Sequence, residues 1–403
     1  MAERKVAVVG AGPAGLIAAE TLARAGSMVT VFDRMANPGR KLLLAGRGGL
    51  NLTHSEPLPD FLQRYGPASR HLADAITAFP PNALTAWCED LGQPTFVGTS
   101  GRIFPRSLKA SPLLRAWLQR LNGLGVRFEL SRQWTGWSEK GHLALRSREG
   151  VESLFTADAA VLALGGASWP RLGSDGSWVP LLTARGVTIN PLTAANCGVQ
   201  IAWSPVFRDK HAGEPLKRIA LSVGNQTVRG EAIVTQHGLE GGAVYQLVPA
   251  IREQLAAQGV CTLTLDLRPD MTEADLTSRL STPIGKQTLS NHLRKAAGLP
   301  PVAISLLREA SGKTLPTDMC VLAQLIRAAP LNVDGLEPIG RAISSAGGIS
   351  WHELDSGFML KRLPGTFAAG EMLDWEAPTG GFLLQACFAT GVAAARGVLS
   401  YLE

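Results

Sequence analysis

The chain has 403 residues, 45% of them hydrophobic and 18% charged, so it can bury one large core or two to three smaller ones and is not disordered. Its 39 basic and 33 acidic residues give a formal charge of +6, but no run of basic residues concentrates that charge, which disfavours a nucleic-acid partner. Glycine is abundant at 44 residues, yet too irregularly placed for a collagen-like chain. We therefore expect a folded protein with many tight turns.

The hydrophobic runs and the cysteines disfavour two further classes of protein. No uninterrupted apolar run reaches the roughly 18 residues of a membrane helix, which predicts a chain that neither spans a membrane nor has a membrane partner. The cysteines are odd in number, widely spaced and without a C-x-x-C pair, so they predict neither a disulfide framework nor a metal site. They are Cys88, Cys197, Cys261, Cys320 and Cys387. A reducing cytoplasm fits this composition best.

The N-terminal residues predict a strand, a glycine-rich turn, a helix and a second strand. Lys5–Val9 is a short β-branched run typical of a buried parallel strand. The sequence Gly10-Ala-Gly-Pro-Ala-Gly15 follows it directly, and the apolar Leu16–Ala25 predicts a helix. The run Met28–Phe32 predicts the second strand, which ends at Asp33. These elements have the spacing of a dinucleotide-binding motif.

Each residue of this motif has a physical role. Gly10 permits the tight turn, Gly12 lets the backbone approach a pyrophosphate, and Gly15 lets the helix pack closely on the strand. Asp33 can accept hydrogen bonds from ribose hydroxyls, which favours an unmodified ribose as in FAD or NAD. The neighbouring Arg34 keeps a ribose with a 2′-phosphate as the alternative. The alternative is a structural βαβ turn without a ligand.

Two further segments bring glycine-rich backbone to the same region. Gly39–Thr53 follows the second strand with four glycines and with Arg40 and Lys41, which can offset phosphate charge; a solvated basic helix end is the alternative. Phe155–Leu164 predicts a strand that ends in Gly165-Gly166. A NAD dehydrogenase does not generally need either segment, so both favour a more extended cofactor.

The C-terminal residues supply a third segment. Pro364–Ala369 predicts a short strand leading into Gly370-Glu371, and Thr379-Gly-Gly381 opens a helix from Phe382 to Val398. A glycine pair at a helix start presents free amide hydrogens and the positive end of the helix dipole to an electron-rich group. The N1 and O2 edge of a flavin is such a group, and an ordinary turn before a packing helix is the alternative.

Together these motifs resemble a family of bacterial FAD-dependent flavoproteins, labelled aminoacetone-oxidase-like or bile-acid dehydro-reductase-like NAD(P)/FAD-dependent oxidoreductases. The likeness runs nearly end to end and includes Leu164–Pro170, Gly173–Gly176, Gly238–Ala243 and the ending Ala346–Phe382. It implies FAD as the cofactor and an α/β fold, in which a discontinuous Rossmann-type FAD-binding domain carries an inserted β-rich and helical part.

The resemblance also implies domain boundaries and contact residues. The FAD-binding domain would comprise residues 1–189 and 332–403, with a β-rich insertion at 190–267, where polar and apolar residues alternate, and a helical subdomain at 268–331. The predicted FAD-contacting residues are Gly10, Gly12, Pro13, Ala14, Gly15, Asp33, Arg34, Arg40, Lys41, Gly46, Asn51, Leu52, Trp134, Gly165, Gly166, Gly370, Glu371, Gly380, Gly381 and Phe382. Trp134 stands where the family usually has an aliphatic residue.

Three departures from the family pattern indicate a divergent subgroup. Leu50 replaces the usual Cys before Asn51, Glu240 replaces a usual Ser, and Phe382-Leu383 replaces Tyr-Asn at the start of the last helix. Each lies in a motif expected to face the flavin or its substrate, so the family's substrate is not carried over.

The catalytic groups are unknown from the sequence, because a flavin performs the electron transfer itself. The possible proton-transfer groups are His54, and His237 with Glu240. Cys387 is expected as a buried thiol, and Trp169 and Trp375 as core or pocket-wall residues.

We expect an FAD-dependent oxidoreductase of a small organic substrate. The chain has no second G-x-G-x-x-G motif, so NAD(P)H would act as a transient electron donor. The alternatives are an RNA-interacting flavoprotein and an FAD-binding protein without turnover.

Overall fold

The computed structural model describes residues 4–403, which form two compact units. The first unit combines the chain up to Thr193 with Ser344–Glu403, and the second unit is Ala194–Ile343.

The strands and helices are numbered in chain order. The strands are β1 (Lys5–Val9), β2 (Met28–Asp33), β3 (Thr53–His54), β4 (Thr95–Val97), β5 (Arg102–Pro105), β6 (Arg127–Leu130), β7 (Arg132–Trp137), β8 (Leu143–Ser147), β9 (Glu152–Phe155), β10 (Ala159–Leu162), β11 (Ile189–Ala195), β12 (Val199–Gln200), β13 (Pro215–Val223), β14 (Gln226–Val234), β15 (Gly238–Glu240), β16 (Cys261–Asp266), β17 (Ala329–Val333), β18 (Gly335–Leu336), β19 (Ser344–Ile349) and β20 (Thr366–Ala368). The helices are α1 (Pro13–Arg24), α2 (Arg40–Ala45), α3 (Leu58–Gln63), α4 (Ser69–Ala78), α5 (Pro81–Asp90), α6 (Ala110–Gly123), α7 (Val179–Thr183), α8 (Pro205–His211), α9 (Gly242–Gln258), α10 (Glu273–Leu280), α11 (Leu289–Ala296), α12 (Pro301–Ala310), α13 (Met319–Arg327) and α14 (Phe382–Tyr401).

A five-stranded parallel sheet forms the centre of the first unit, in the order β20-β10-β1-β2-β6. The side chains of β1 from Val6 to Val9 are buried, as expected for a parallel sheet covered on both faces. Strand β20 pairs with β10 in parallel, with Phe367 opposite Val161. The two ends of the chain therefore build one sheet, and the predicted α/β fold is confirmed.

Helix α14 packs against α1, where Gly391 allows close contact because a Cβ there would lie 2.4 Å from the carbonyl oxygen of Ala14. Among the described residues, α14 is the one helix that is long and apolar enough to cross a membrane, with a mean hydropathy of 1.5. Its most apolar stretch is 61% buried inside the protein. The hydrophobic residues of α14 thus form part of the core.

Smaller sheets accompany the parallel sheet. Strands β3, β5 and β4 form one antiparallel sheet, and β7, β8 and β9 form another. Strand β11 pairs with β19. The sheet β3-β5-β4 lies next to the glycine-rich segment 39–53, since the amide of Leu50 donates to the Leu108 carbonyl at 2.8 Å.

The second unit is built on a seven-stranded sheet in the order β17-β16-β13-β14-β15-β12-β18, and every recorded pairing in it is antiparallel. Its sheet and its helices share one hydrophobic core, which includes Leu263 on β16 and Leu306 on α12. The β-rich and helical segments therefore form one unit. This unit continues to Ile343, beyond the predicted limit at 331, because β17 pairs with β16 and β18 with β12.

Candidate cofactor site

The glycine-rich turn between β1 and α1 is fixed by backbone packing. Gly10 has φ +109°, and a Cβ there would lie 2.2 Å from the carbonyl oxygen of Ala163. A Cβ on Gly15 would lie 1.9 Å from the carbonyl oxygen of Gly10. No side chain fits at either position, so both glycines let β1, α1 and the end of β10 approach one another.

The start of α1 is open. A Cβ on Gly12 would meet no atom of the described chain within 4 Å, and no side chain caps the helix. The first-turn amides of Ala14 and Gly15 precede the first intrahelical hydrogen bond, from Leu16 to the Gly12 carbonyl at 2.9 Å. Free amides and the positive end of the helix dipole make this a site for a phosphate anion.

Asp33 is held in place at the end of β2. Its carboxylate accepts the amides of Ala11 and Met35, each at 2.7 Å. Burial raises the pKa of the carboxyl, although these two amides and Arg34 act in the opposite direction. The oxygens keep lone pairs for further donors, such as ribose hydroxyls.

Arg34 forms an ion pair with Asp175, so its charge is compensated within the protein. The same contact helps to lower the pKa of Asp175, against the effect of burial. A guanidinium engaged in this way is poorly placed for a 2′-phosphate, and the arrangement favours an unmodified ribose.

Lys41 joins two distant parts of the sequence. Its Nζ lies 2.6 Å from Glu371 Oε2 and 2.6 Å from Ser168 Oγ, and Glu371 Oε1 accepts the amide of Ser345 at 2.9 Å. These bonds connect the basic segment after β2 to the chain after β10 and after β20. The partly buried ion pair therefore fixes the wall of the site from three directions.

Cys387 on α14 lies beside this ion pair. Burial raises the pKa of its thiol to about 12, and Glu371 adds to the shift while Lys41 opposes it. The thiol is therefore protonated at neutral pH, and thiolate chemistry is not available to it.

A cleft runs along these groups in the first unit, and it has a volume of about 130 Å³. The predicted residues that line it are Gly10, Gly12, Pro13, Ala14, Asp33, Arg34, Arg40, Lys41, Trp134, Gly165, Gly370 and Glu371. They come from separate parts of the sequence, and the fold brings them together.

Trp134 forms part of the cleft wall from β7. It is buried and packs edge to face on Trp137 at 4.8 Å, while its Nε1 finds no acceptor within residues 4–403. A buried indole N–H normally has a partner, so a ligand atom fits here.

Sequence reasoning missed other residues of the cleft. Ser174 and Trp178 line it, and Trp178 donates from Nε1 to the Gly165 carbonyl at 2.8 Å. Ser174 Oγ is buried without a hydrogen-bond partner among the described residues. The sequence signal that could have found Ser174 is its position in Gly173–Gly176, a segment that contributes to the family resemblance.

The remaining predicted residues lie outside the cleft lining. Three glycines among them serve close packing: Gly15 as described above, Gly46 against Ala110, and Gly166 against Ser345, where a Cβ would lie 2.4 Å from the hydroxyl oxygen. Leu52 is fully buried in the core. The others are Asn51, Gly380, Gly381 and Phe382.

The turn before α14 packs directly on β3. Gly381 has φ +100°, and a Cβ there would lie 2.5 Å from the Thr53 backbone, so only glycine fits. The carbonyl of Phe382 accepts the Tyr65 hydroxyl at 2.8 Å, and burial raises the pKa of that phenol well above its usual range. Next to this turn, Asn51 Oδ1 and Thr53 Oγ1 are buried with no partner in the described chain.

The candidate proton-transfer groups lie in two different parts of the protein, and neither lines the cleft. His54 stacks on Phe382 at 5.4 Å, its Nε2 lies 2.9 Å from the Ser100 carbonyl and its Nδ1 accepts the Glu56 amide. Both ring nitrogens are engaged, which indicates a structural role. His237 and Glu240 line a separate cavity of the second unit.

Trp169 and Trp375, the two tryptophans expected as core or pocket-wall residues, supply no catalytic group. Trp375 is buried and donates to the Gly370 carbonyl at 2.9 Å, while Trp169 does not line the cleft. Among residues 4–403 no group of three or more His, Cys, Asp or Glu side chains is placed to hold a metal ion.

The donor set fits an elongated dinucleotide. The open α1 terminus suits a pyrophosphate, Asp33 suits a ribose, and Trp134 Nε1 and Ser174 Oγ are buried polar atoms without partners. The parallel sheet with its glycine-rich turn and the added antiparallel sheets define a Rossmann-type fold of the FAD-binding class.

Comparison with known proteins gives the family. The model of the HI0933-like protein Rossmann domain matches residues 4–397, and the chain belongs to this family. The chain is 27% identical over 413 aligned positions to the 3-dehydro-bile acid delta(4,6)-reductase of Clostridium scindens, covering 97% of this chain and 98% of that protein. It is 23% identical to the ribosomal RNA dihydrouridine synthase of Escherichia coli, covering 98% and 97%.

Solved structures show the same fold. The 3-ketosteroid-delta4-(5alpha)-dehydrogenase of Rhodococcus jostii is similar with a TM-score of 0.51, 17% identity and coverage of 99% of this chain and 97% of that one. The 3-ketosteroid delta1-dehydrogenase of Sterolibacterium denitrificans is similar with a TM-score of 0.55, 12% identity and coverage of 98% and 99%.

Proposed function

We propose that the chain is an FAD-dependent oxidoreductase that reduces a double bond of a small organic molecule, with NAD(P)H as the electron donor. The observation that carries the proposal is the cleft in which the open α1 terminus, Asp33 and the Lys41–Glu371 ion pair lie together. The full-length likeness to a delta(4,6)-reductase supports reduction as the direction of the reaction.

The residues of the cleft would hold FAD along its length. The amides of Ala14 and Gly15 would bind the pyrophosphate, and the Asp33 carboxylate would accept the adenosine ribose hydroxyls. Bound FAD supplies hydride transfer, and the protein supplies binding, orientation and local charge. Lys41 would place a positive charge in the wall, and its pairing with Glu371 would keep that charge in one position.

The protonation states of the site fit this chemistry. The Cys387 thiol stays neutral because burial raises its pKa to about 12, so no dithiol relay of the disulfide-reductase kind is built into the cleft. The chain has no second G-x-G-x-x-G motif, so the nicotinamide would approach the flavin only during reduction.

Anaerobic reduction tests the proposal. The purified chain, loaded with FAD, should be bleached by NADPH or NADH and reoxidised by a conjugated enone such as a 3-oxo-4-ene steroid. The Asp33→Asn variant should bind FAD more weakly, while Asp60→Asn, an exposed acid in the first turn of α3, should bind it like the unmodified chain. Failure of both nucleotides to reduce a bound flavin would leave an FAD-binding protein without turnover and contradict the proposal.

A second candidate is reduction of a uridine in RNA. It is favoured by the likeness to the ribosomal RNA dihydrouridine synthase over 98% of this chain, and a basic balance of 39 against 33 charges is compatible with it. Reoxidation of the reduced flavin by a ribosomal RNA transcript but not by the enone, together with salt-sensitive RNA binding, would favour this candidate.

A further inference from the structure

One face of the first unit combines uncompensated positive charge with exposed aliphatic side chains. We call it the basic-apolar face. Its basic residues are Arg47, Arg102, Arg106 and Lys109, and its apolar residues are Leu43, Phe96, Val97 and Leu108, all of them exposed.

The members of the face are neighbours in the structure. Strand β5 pairs with β4, so that Phe96 lies opposite Phe104, and the two rings stack at 5.8 Å. A Cβ on Gly49 would lie 3.6 Å from the Phe104 ring and 3.8 Å from the Leu108 side chain. Arg47 precedes Gly49 by two residues and follows Leu43 by one helical turn. The segment before β3 and the β4–β5 hairpin therefore form one surface.

The charge of this face is not balanced by nearby acids. Neither residues 34–55 nor residues 91–126 contain an Asp or a Glu, although together they hold nine of the 39 basic residues. In the part of the chain that the structure describes, none of the four basic side chains of the face forms an ion pair. The face therefore carries a positive potential that attracts anionic surfaces.

The apolar residues of the face are exposed to water, which is unfavourable for the stability of the folded protein. Four of the 13 exposed large hydrophobic residues in the described part of the chain fall on this face, with exposed fractions from 36% to 57%. Leu108 also has φ +57°, a left-handed conformation that is unfavourable for a leucine. A strained backbone that presents an aliphatic side chain to water points to a function for that side chain.

We propose that the basic-apolar face docks the protein on an anionic membrane surface. Basic side chains bind acidic lipid headgroups, while exposed aliphatic side chains enter the boundary between headgroups and acyl chains. Three of the four apolar residues are aliphatic, which suits a lipid interface better than RNA, since RNA bases stack on aromatic rings.

The face adjoins the turn before α14, which the sequence analysis predicts to meet the N1 and O2 edge of the flavin. Arg102 Nε lies 4.0 Å from the position of a Cβ on Gly380, and Arg102 lies opposite His54 in the β3–β5 pair. Docking there would bring this turn to the membrane surface, from which an apolar substrate could enter. The docking itself does not depend on the proposed reaction.

Vesicle sedimentation of the FAD-loaded full chain tests the proposal. The protein should bind vesicles of mixed phosphatidylglycerol and phosphatidylcholine, bind pure phosphatidylcholine at least about tenfold more weakly, and lose binding as salt is raised. The variant Val97→Ser/Leu108→Gly should lower binding about tenfold while keeping the fold, because glycine suits the φ of Leu108. The charge variant Arg106→Glu/Lys109→Glu should abolish binding.

The sheet of β7, β8 and β9, with its two turns, provides matched controls. It also exposes aliphatic and basic residues, but these alternate with acids, so Val151→Ser/Leu154→Ser and Lys140→Glu/Arg148→Glu should bind vesicles like the unmodified chain. Absence of binding to acidic vesicles would overturn the proposal. Equal losses in the control variants, or displacement from vesicles by RNA with tighter binding of that RNA, would overturn it as well. Enone reduction in solution is measured in parallel, so a failure of docking is distinguished from a failure of the proposed reaction.

Discussion

The two ends of the proposed FAD site differ in what fixes their geometry. At the dinucleotide turn, Gly10 and Gly15 are locked by backbone contacts, and the Asp33 carboxylate already accepts two amides. At the turn before α14, Gly381 is equally locked on β3, yet Asn51 Oδ1 and Thr53 Oγ1 are buried without partners. The backbone of the first end is thus fixed by packing, while its helix amides stay open for a ligand. The second end has buried side-chain polar groups that a ligand would satisfy.

This difference predicts that a side chain added at a locked glycine of the first end damages folding. Changes to the open groups of the first end, or to the unpartnered groups of the second end, should instead damage binding or turnover. The largest effect is expected for Gly15→Ala, because its Cβ would lie 1.9 Å from the Gly10 carbonyl oxygen. We expect it to lower the free energy of unfolding by about 3 kcal/mol, measured by denaturant titration without FAD.

Gly12→Ala is the matched control for that variant, because a Cβ at Gly12 meets open space among the described residues. It should keep the unfolding midpoint while weakening FAD binding about tenfold or more, since it blocks the approach of a pyrophosphate. A Gly15→Ala protein as stable as the unmodified chain would contradict the packing argument.

Asp33→Asn separates the charge of the carboxylate from its size. Loss of charge-assisted hydrogen bonds to the ribose should weaken FAD binding by about 2 kcal/mol, measured by calorimetry. FAD binding as tight as in the unmodified chain would show that the ribose does not meet Asp33.

Thr53→Val tests the second end. Removing a buried hydroxyl that has no partner should leave the apoprotein as stable or raise its free energy of unfolding by up to about 1 kcal/mol. The rate of flavin reduction should fall, because the ligand loses a hydrogen bond. A strong loss of apoprotein stability would mean that the hydroxyl is already satisfied in the free protein.

The smallest effect is expected at Cys387. Because burial raises its pKa to about 12, the thiol is protonated at pH 8, and iodoacetamide should label the exposed Cys320 but not Cys387. Mass spectrometry of the digested protein measures both. Rapid labelling of this half-buried thiol in the folded chain would contradict its neutral state.

The sequence predicted those parts of the fold and site that depend on local spacing. The run from Lys5 to Asp33 contains strand, turn, helix and acid within 29 consecutive positions, and each residue type there is dictated by backbone geometry. The same reasoning located the glycine pairs after β10 and before α14.

Contacts between distant residues were beyond that reasoning. Lys41 and Glu371 are 330 positions apart, and nothing in either segment specifies the other. Local patterns did not specify the place of β17 for a similar reason, since it pairs with β16 across more than 60 residues. The resemblance to a family gave the discontinuous architecture that local patterns did not specify.

The central claim is that the cleft of the first unit binds FAD for electron transfer, and its most direct test is the flavin spectrum of the purified chain during anaerobic titration with NADPH. The account predicts one FAD per chain, bleached by the nucleotide and bound more weakly by the Asp33→Asn variant. A chain that binds no FAD, or that holds FAD unchanged in the presence of both NADPH and NADH, would contradict it.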